Sequence, residues 1–291
     1  MAVYNTLTFP NPEGLPFSDE AVSDYLNERM PVDKRRIPLG LIEVDTYLPK
    51  ELTDRLVYSS LTAQSTRHVV TANAQFYVMA ERLQRFRKCL ERAEYVCADG
   101  FSIQLACKWL AKTPVVRCPG VDLVHDLCKE GASYGLRVYL LGGVPGAAED
   151  SARILSDNYP GLHIVGTDCP PLHFETNPER LHAVLSRVAR AQPQVVFVGL
   201  GAPKQEYFID QHIRPLRIAV AIGVGGTFEM ISGRVPRAPG WIRHIGMEWG
   251  YRLLREPKRL WRRYLIGNLE FLFIVTFRYL LGADPEQEPC G

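Results

Sequence analysis

The chain has 291 residues, of which 46% are apolar and 23% charged, with a net charge of +2; this composition excludes collagen-like, low-complexity and wholly disordered chains. Such a length buries a sizeable core in one large domain or two modest ones, so a stapled mini-protein is excluded as well. The seven cysteines are odd in number and no two are spaced CxxC, which argues for reduced thiols over a disulfide framework or a zinc ribbon.

Residues 1–36 read as an N-terminal extension: Pro-rich, weakly patterned, with one short helix expected from Ser18 to Met30. Met1 to Gly40 holds no apolar stretch of signal-peptide length, so a cytoplasmic protein is expected. From Arg67 short β-branched runs alternate with helical stretches. Strands are expected at His68–Thr71, Tyr95–Ala98, Arg137–Leu141, His163–Gly166, Val195–Gly199 and Ile218–Ile222, with helices at Ala74–Arg92, Val121–Ser133, Ala147–Asn158, Pro178–Ala191 and Pro203–His212. This alternation predicts a Rossmann-like α/β fold, a mainly parallel sheet flanked by helices, over a domain at 37–236.

After Gly233 the composition changes. Arg234 to Arg263 carries nine Lys and Arg against Glu248 and Glu256, a net charge of +7, interleaved with Trp241, Trp249, Trp261, Tyr251 and Tyr264. The longest apolar run, Phe271 to Phe277, is far below the roughly 20 residues that span a bilayer. Residues 237–291 are therefore expected to form a basic, amphipathic helical appendage that lies on an anionic membrane surface.

Open parallel sheets bind ligands beyond the carboxyl ends of their strands, which directs attention to the strand-to-helix loops. Asp99, in Ala98-Asp99-Gly100, is either a general base or a helix N-cap. Thr71 and Asn73 end an apolar strand and are placed to hydrogen-bond a ligand, although capping explains Asn73 equally well. Glycine loops at 142–146, 199–201 and 223–226 either bring backbone N–H groups to a diphosphate or are plain tight turns. None is a complete dinucleotide fingerprint and no P-loop occurs. Lys204, in the first turn of a helix, is at the wrong end for the dipole, which an anionic ligand would explain. Arg117, just before Pro119-Gly120, could clamp a phosphate bidentately or make a surface ion pair. The seven histidines show no metal-ligand spacing, and Asp-x-Asp is absent; Glu43-Val44-Asp45, the nearest pattern, falls in an expected edge strand. No cofactor or metal is expected.

Together these segments resemble the WecG/TagA/CpsF family of bacterial glycosyltransferases. The matching stretches are Thr71-Ala72-Asn73, Ala98-Asp99-Gly100, 117–123 (RCPGVDL), 140–143 (LLGG), 199–206 (GLGAPKQE), 223–228 (GVGGTF), 232–239 (SGRVPRAP) and 246–259 (GMEWGYRLLREPKR). They run in the family's order from about Ile37 to Tyr264. The resemblance implies inverting, metal-independent transfer of a hexose or N-acetylhexosamine-type sugar from a UDP-sugar to a polyprenyl-diphosphate-linked saccharide, in synthesis of cell-surface polysaccharide. It implies Asp99 as catalytic base. Contacts with the donor sugar or its diphosphate are implied for Thr71, Asn73, Arg117 and Gln205, a nucleotide-pocket lining for Gly223, Gly225 and Gly226, and further substrate contacts for Gly142, Gly143, Gly201, Lys204 and Glu206. Diphosphate or lipid-headgroup contacts are implied for Arg237, Arg252, Arg255 and Arg259. Glu229 stands where the family usually has Asp. The competing readings are a nicotinamide-dependent oxidoreductase and a non-enzymatic membrane- or nucleic-acid-binding module. The sheet edge and the C-terminal helix each offer a surface for a homo-oligomer.

Overall fold

The computed structural model describes residues 35–281, except 245, 256 and 262–264; the expected Ser18–Met30 helix lies outside them. Strands β1 (Arg36–Leu39) and β2 (Ile42–Asp45) form an antiparallel hairpin. Helix α1 (Pro49–Thr62) leads into β3 (Arg67–Ala72), α2 (Ala74–Arg82), α3 (Gln84–Arg92), β4 (Tyr95–Ala98), α4 (Phe101–Trp109) and α5 (Gly120–Ala132). There follow β5 (Arg137–Gly142), α6 (Ala147–Asn158), β6 (His163–Asp168), α7 (Pro178–Ala191), β7 (Val195–Gly199), α8 (Lys204–Phe208), β8 (Val220–Gly223) and α9 (Thr227–Ile231). The C-terminal part contains α10 (Gly240–His244), α11 (Glu248–Arg255), α12 (Pro257–Trp261) and α13 (Gly267–Leu281).

Strands β3 to β8 build one six-stranded sheet, all parallel, in the order β4-β3-β8-β7-β5-β6. Val195 to Val198 are fully buried, as strands covered on both faces require, which is why they read as unbroken apolar runs. Val69, Leu140, Phe197 and Ile222 face α1, α5, α6 and α9 on one side. Val70, Val96, Val196 and Ala221 face the opposite side, where α2, α3, α4 and α13 share one core and α7 and α8 another.

This topology positions the site. From β3 and β7 the chain turns to one face of the sheet, into α2 and α8, whereas from β5 and β8 it turns to the other, into α6 and α9. Where neighbouring strands send their helices to opposite faces the loops part, and a crevice opens at their carboxyl ends.

Two expected helices differ. The one expected over Ala74–Arg92 is two, broken at Leu83, whose backbone is extended (φ −122°, ψ 94°). The break lets Phe76 and Tyr77 of α2 and Phe86 and Leu90 of α3 all reach one core. The one expected over Pro203–His212 is α-helical only to Phe208 and continues as a π turn, Ile209–Ile213, and a 3-10 turn, Arg214–Leu216. Helix α1 has no counterpart in the sequence pattern, whereas α4 follows Asp99 as the N-cap reading of that residue implies, its limits not given by the pattern. The Glu43-Val44-Asp45 pattern is structural: Arg36 Nε donates to Asp45 at 2.9 Å, and the Val96 amide donates to the same carboxylate.

Of the C-terminal helices, α13 packs firmly on the body, with Phe271 and Val275 buried in the core that α2, α3 and α4 share. Phe271 of α13 meets Tyr77 edge-on at 5.3 Å between ring centroids, and Arg278 donates to both oxygens of Glu81 at 2.7 and 2.9 Å. Helix α11 has no buried residue. Among the described residues no helix is long and apolar enough to cross a membrane.

Candidate active site

A cavity of about 580 Å³ fills the crevice. Its walls come from the ends of five strands: Thr71 near the end of β3 and Asn73 after it, Asp99 after β4, Gly143 after β5, Gly201 and Gln205 after β7, and Gly225 to Thr227 after β8. A second space of about 130 Å³ adjoins it, bounded by Asn73, Asp99, Phe101, Arg117, Trp249 and Asn268 among others. Asn73, Asp99, Glu248 and Arg252 wall both.

The glycine loops are locked to one another. Gly143 N–H donates to the Gly199 carbonyl at 2.8 Å, and the Thr71 hydroxyl donates to the Gly223 carbonyl at 3.0 Å. Gln205, 2% exposed, accepts from Gly201 N–H and Gly225 N–H at 3.0 Å each through one side-chain oxygen. Three N–H groups expected to face a diphosphate are thus engaged within the protein. Both Gly201 (φ +75°) and Gly225 (φ +55°) occupy the left-handed region that favours glycine.

Behind Gln205 stands Glu206. Because Gln205 must turn its oxygen to the two loop amides, its Nε2 faces inward, and there it donates to Glu206 Oε1 at 2.7 Å. Glu206 is fully buried, its other oxygen has no hydrogen-bond partner within the described protein, and burial pushes its pKa up to about 7. Gly223 makes room for the pair, since a Cβ there would come within 2.7 Å of Gln205 Nε2 and 2.8 Å of Glu206 Oε1. Glu206 lines neither cavity; it orients Gln205, and Gln205 joins the loops.

Asp99 is not the N-cap of α4: that position is Gly100, without a side-chain bond, and Asp99 borders both cavities while its N–H donates to the Ala72 carbonyl at 2.8 Å. Asn73 does cap α2, accepting from Gln75 N–H at 3.0 Å, while bordering the same spaces. Arg117 borders the smaller cavity and donates to the Arg243 carbonyl at 2.6 Å.

The cationic wall comes from the C-terminal side. Arg234, Arg237 and Arg252 line the large cavity. Arg237 is anchored by Asp122 at 2.7 Å and approaches Glu248 at 3.6 Å, and Arg234 reaches Asp150 at 2.7 Å. Arg252 Nε is buried without a hydrogen-bond partner within the described protein. Glu229, also in the wall, accepts from Val144 N–H at 3.0 Å through one oxygen, joining the β5 and β8 loops.

Other expected residues sit elsewhere. Lys204 points away from the cavity, pairing with Glu175 at 2.8 Å over the Phe174 ring. Gly142 and Gly223 support the walls without forming them; a Cβ at Gly142 would strike the Gly199 carbonyl. Arg255 is exposed and stacks over Tyr251 at 5.4 Å. The Arg259 side chain lies outside the described residues. Sequence reasoning did not single out Glu248 or Arg234; an acid isolated in a basic stretch was the available signal for Glu248. Among the described residues no three His, Cys, Asp or Glu side chains gather as metal ligands.

A doubly wound sheet whose crevice joins a carboxylate, tight glycine loops and three arginines has the layout of an enzyme for a phosphorylated substrate. Residues 38–284 match the model of the Glycosyl transferase WecG/TagA/CpsF family, and the chain belongs to that family and is a glycosyltransferase. Two relatives, from Bacillus spizizenii (strain ATCC 23059 / NRRL B-14472 / W23) and Staphylococcus aureus (strain MW2), are each named N-acetylglucosaminyldiphosphoundecaprenol N-acetyl-beta-D-mannosaminyltransferase. The first is 32% identical over 197 residues, 68% of this chain and 74% of the relative. The second is 31% identical over 201 residues, 68% of this chain and 77% of the relative.

Proposed function

We propose that this glycosyltransferase moves a hexose or N-acetylhexosamine-type sugar from a UDP-sugar to a saccharide held on a polyprenyl diphosphate, with inversion and without a required metal ion. The relatives' names favour N-acetylmannosamine over its uronic acid or glucose, and N-acetylglucosaminyl-diphospho-undecaprenol as acceptor. The observation that carries the reading is the position of Asp99 in the wall common to both cavities. A donor in the larger space and an acceptor hydroxyl entering through the smaller one would meet at that carboxylate.

In this reading Asp99 accepts the proton of the acceptor hydroxyl as its oxygen attacks the anomeric carbon. The bond from that carbon to the UDP oxygen breaks, its electron pair leaves with the diphosphate, and the configuration inverts. Because the loop amides at 143, 201 and 225 are already engaged, the leaving charge falls chiefly to Arg237 and Arg252, with Arg234 at the outer wall. Arg117, implied by the resemblance as a donor contact, borders the smaller space and not the larger one, and in this reading serves the acceptor side. An acceptor rooted in lipid calls for a cytoplasmic enzyme held peripherally at the inner face of the membrane.

The test is incubation with a panel of UDP-sugars and a short-chain polyprenyl-diphosphate N-acetylglucosamine acceptor in EDTA, following UDP release and acceptor mass. A gain of one N-acetylhexosamine supports the full reading; a gain of one hexose or a uronic acid keeps the reaction and changes the donor. Product only after adding a divalent cation overturns metal independence. Failure to bind any UDP-sugar overturns the donor assignment.

A further inference from the structure

Helix α4 starts immediately after the Asp99 turn and carries an apolar stripe on its outer surface. Phe101, Leu105 and Trp109, spaced four apart, lie on one side of the helix, and Trp109 is 70% exposed. The inner side of the helix, Ile103, Ala106 and Cys107, is buried in the core that also takes Phe271 and Val275 of α13. The outer side of α13 repeats the pattern: Leu269, Leu272, Phe273 and Phe277 are all more than half exposed, with the two phenyl rings stacked at 5.8 Å. Ser102 and Asn268 are within hydrogen-bond distance, 3.5 Å, so the two helices start side by side at the small cavity. Single exposed apolar residues need no explanation, but two adjoining stripes do.

Charge identifies what covers them. Between Asp99 and Asp122 there is no acidic residue, while Lys108, Lys112 and Arg117 are all basic; Lys108 and Lys112 are exposed beside the stripe. A tryptophan flanked in sequence by exposed lysines is suited to the boundary between headgroups and acyl chains. Apolar burial together with cations is the pair of signals that peripheral anchoring needs.

We propose that α4 of the catalytic body is itself a membrane-contacting element: Leu105 and Trp109 enter an anionic lipid surface, and Lys108 and Lys112 meet its headgroups. This deepens the reading given under Proposed function and rests on it, for it sets the mouth of the acceptor-side cavity against the bilayer through the body as well as through the basic C-terminal helices.

The experiment uses the full chain and vesicles of phosphatidylcholine with or without phosphatidylglycerol. Co-sedimentation with the anionic vesicles should weaken about tenfold or more in Leu105→Gln/Trp109→Gln, and severalfold in Lys108→Gln/Lys112→Gln with loss of part of the salt dependence. In the parent, acyl chains brominated near the headgroup should quench tryptophan fluorescence, and Trp109→Phe should remove part of that quenching. Neither pair of residues lines either of the two cavities described above, so UDP release with a water-soluble acceptor should stay within twofold of the parent. Unchanged vesicle binding and unchanged quenching overturn the proposal. So does a lipid-independent dimer that Leu105→Gln/Trp109→Gln dissociates, which would make the stripe a subunit interface. Loss of UDP release in the parent, with vesicle binding intact, would instead count against the enzymatic reading alone.

Discussion

The crevice loops and the C-terminal helices face each other across one cavity and are held in different ways. On the loop side backbone amides, a buried glutamine and a buried glutamate form hydrogen bonds away from solvent. On the other side α11 buries no residue, Leu254 is 83% exposed, and the wall of the cavity is tied to the body by ion pairs such as Arg237 with Asp122, although α13 beyond it buries Phe271 and Val275 in the core. One wall is therefore settled when the chain folds, whereas the other depends on charges that salt, ligand or a lipid surface can shift.

The largest expected effect is at the seam between the two. Asp99→Asn should lower turnover by about a hundredfold to ten-thousandfold while UDP affinity and thermal stability stay near the parent values; retention of turnover would remove Asp99 from the chemistry. On the loop side, Gln205→Ala strips both loop amides and Glu206 of a buried partner. It should cost about 2–4 kcal/mol of stability, read by urea denaturation, together with UDP affinity. A loss of affinity without any loss of stability would contradict the joint.

Glu206 sharpens the same side through pH. Its folded pKa is about 7, above the unfolded value near 4.3, so its stabilising contribution is complete below the unfolded value and disappears as pH rises through 7. Glu206→Gln keeps an acceptor for Gln205 without ionising. The variant should gain stability relative to the parent between pH 5 and 8 by roughly 1–3 kcal/mol, measured as unfolding midpoints across pH. A flat difference would mean that Glu206 does not titrate in that window.

The smallest effects divide the C-terminal arginines. Arg237→Ala, at the cavity, should weaken UDP binding by about tenfold, less at high salt, whereas exposed Arg255→Ala should change it by less than about twofold. Equal losses would erase the distinction between inner and outer arginines.

The sheet was largely legible because a parallel strand buried on both faces leaves a short β-branched run that little else imitates; Val195–Gly199 has the same limits in sequence and structure. The start of helix α4 was legible from the Asp99-Gly100 turn but its extent was not, because its solvent face is apolar too and the usual amphipathic period is faint. Helix α1 hid for the opposite reason, as its buried side includes Thr53, Ser59 and Ser60. Within the site, the motif Lys204-Gln205-Glu206 read as one binding unit, yet a helical turn sends successive residues in different directions. Gln205 reaches the cavity, Glu206 goes behind it and Lys204 goes to Glu175. Contiguity in a motif gives no direction; only the fold does.

Four side chains, Asn73, Asp99, Glu248 and Arg252, are shared by the two cavities. Any rearrangement of that partition on filling one space alters the other, so the free energies of the two occupancies are linked. By reciprocity, whatever factor a nucleotide imposes on the affinity for the second ligand, the second ligand must impose on the nucleotide. An enzyme divided in this way couples its two loadings equally, whichever comes first.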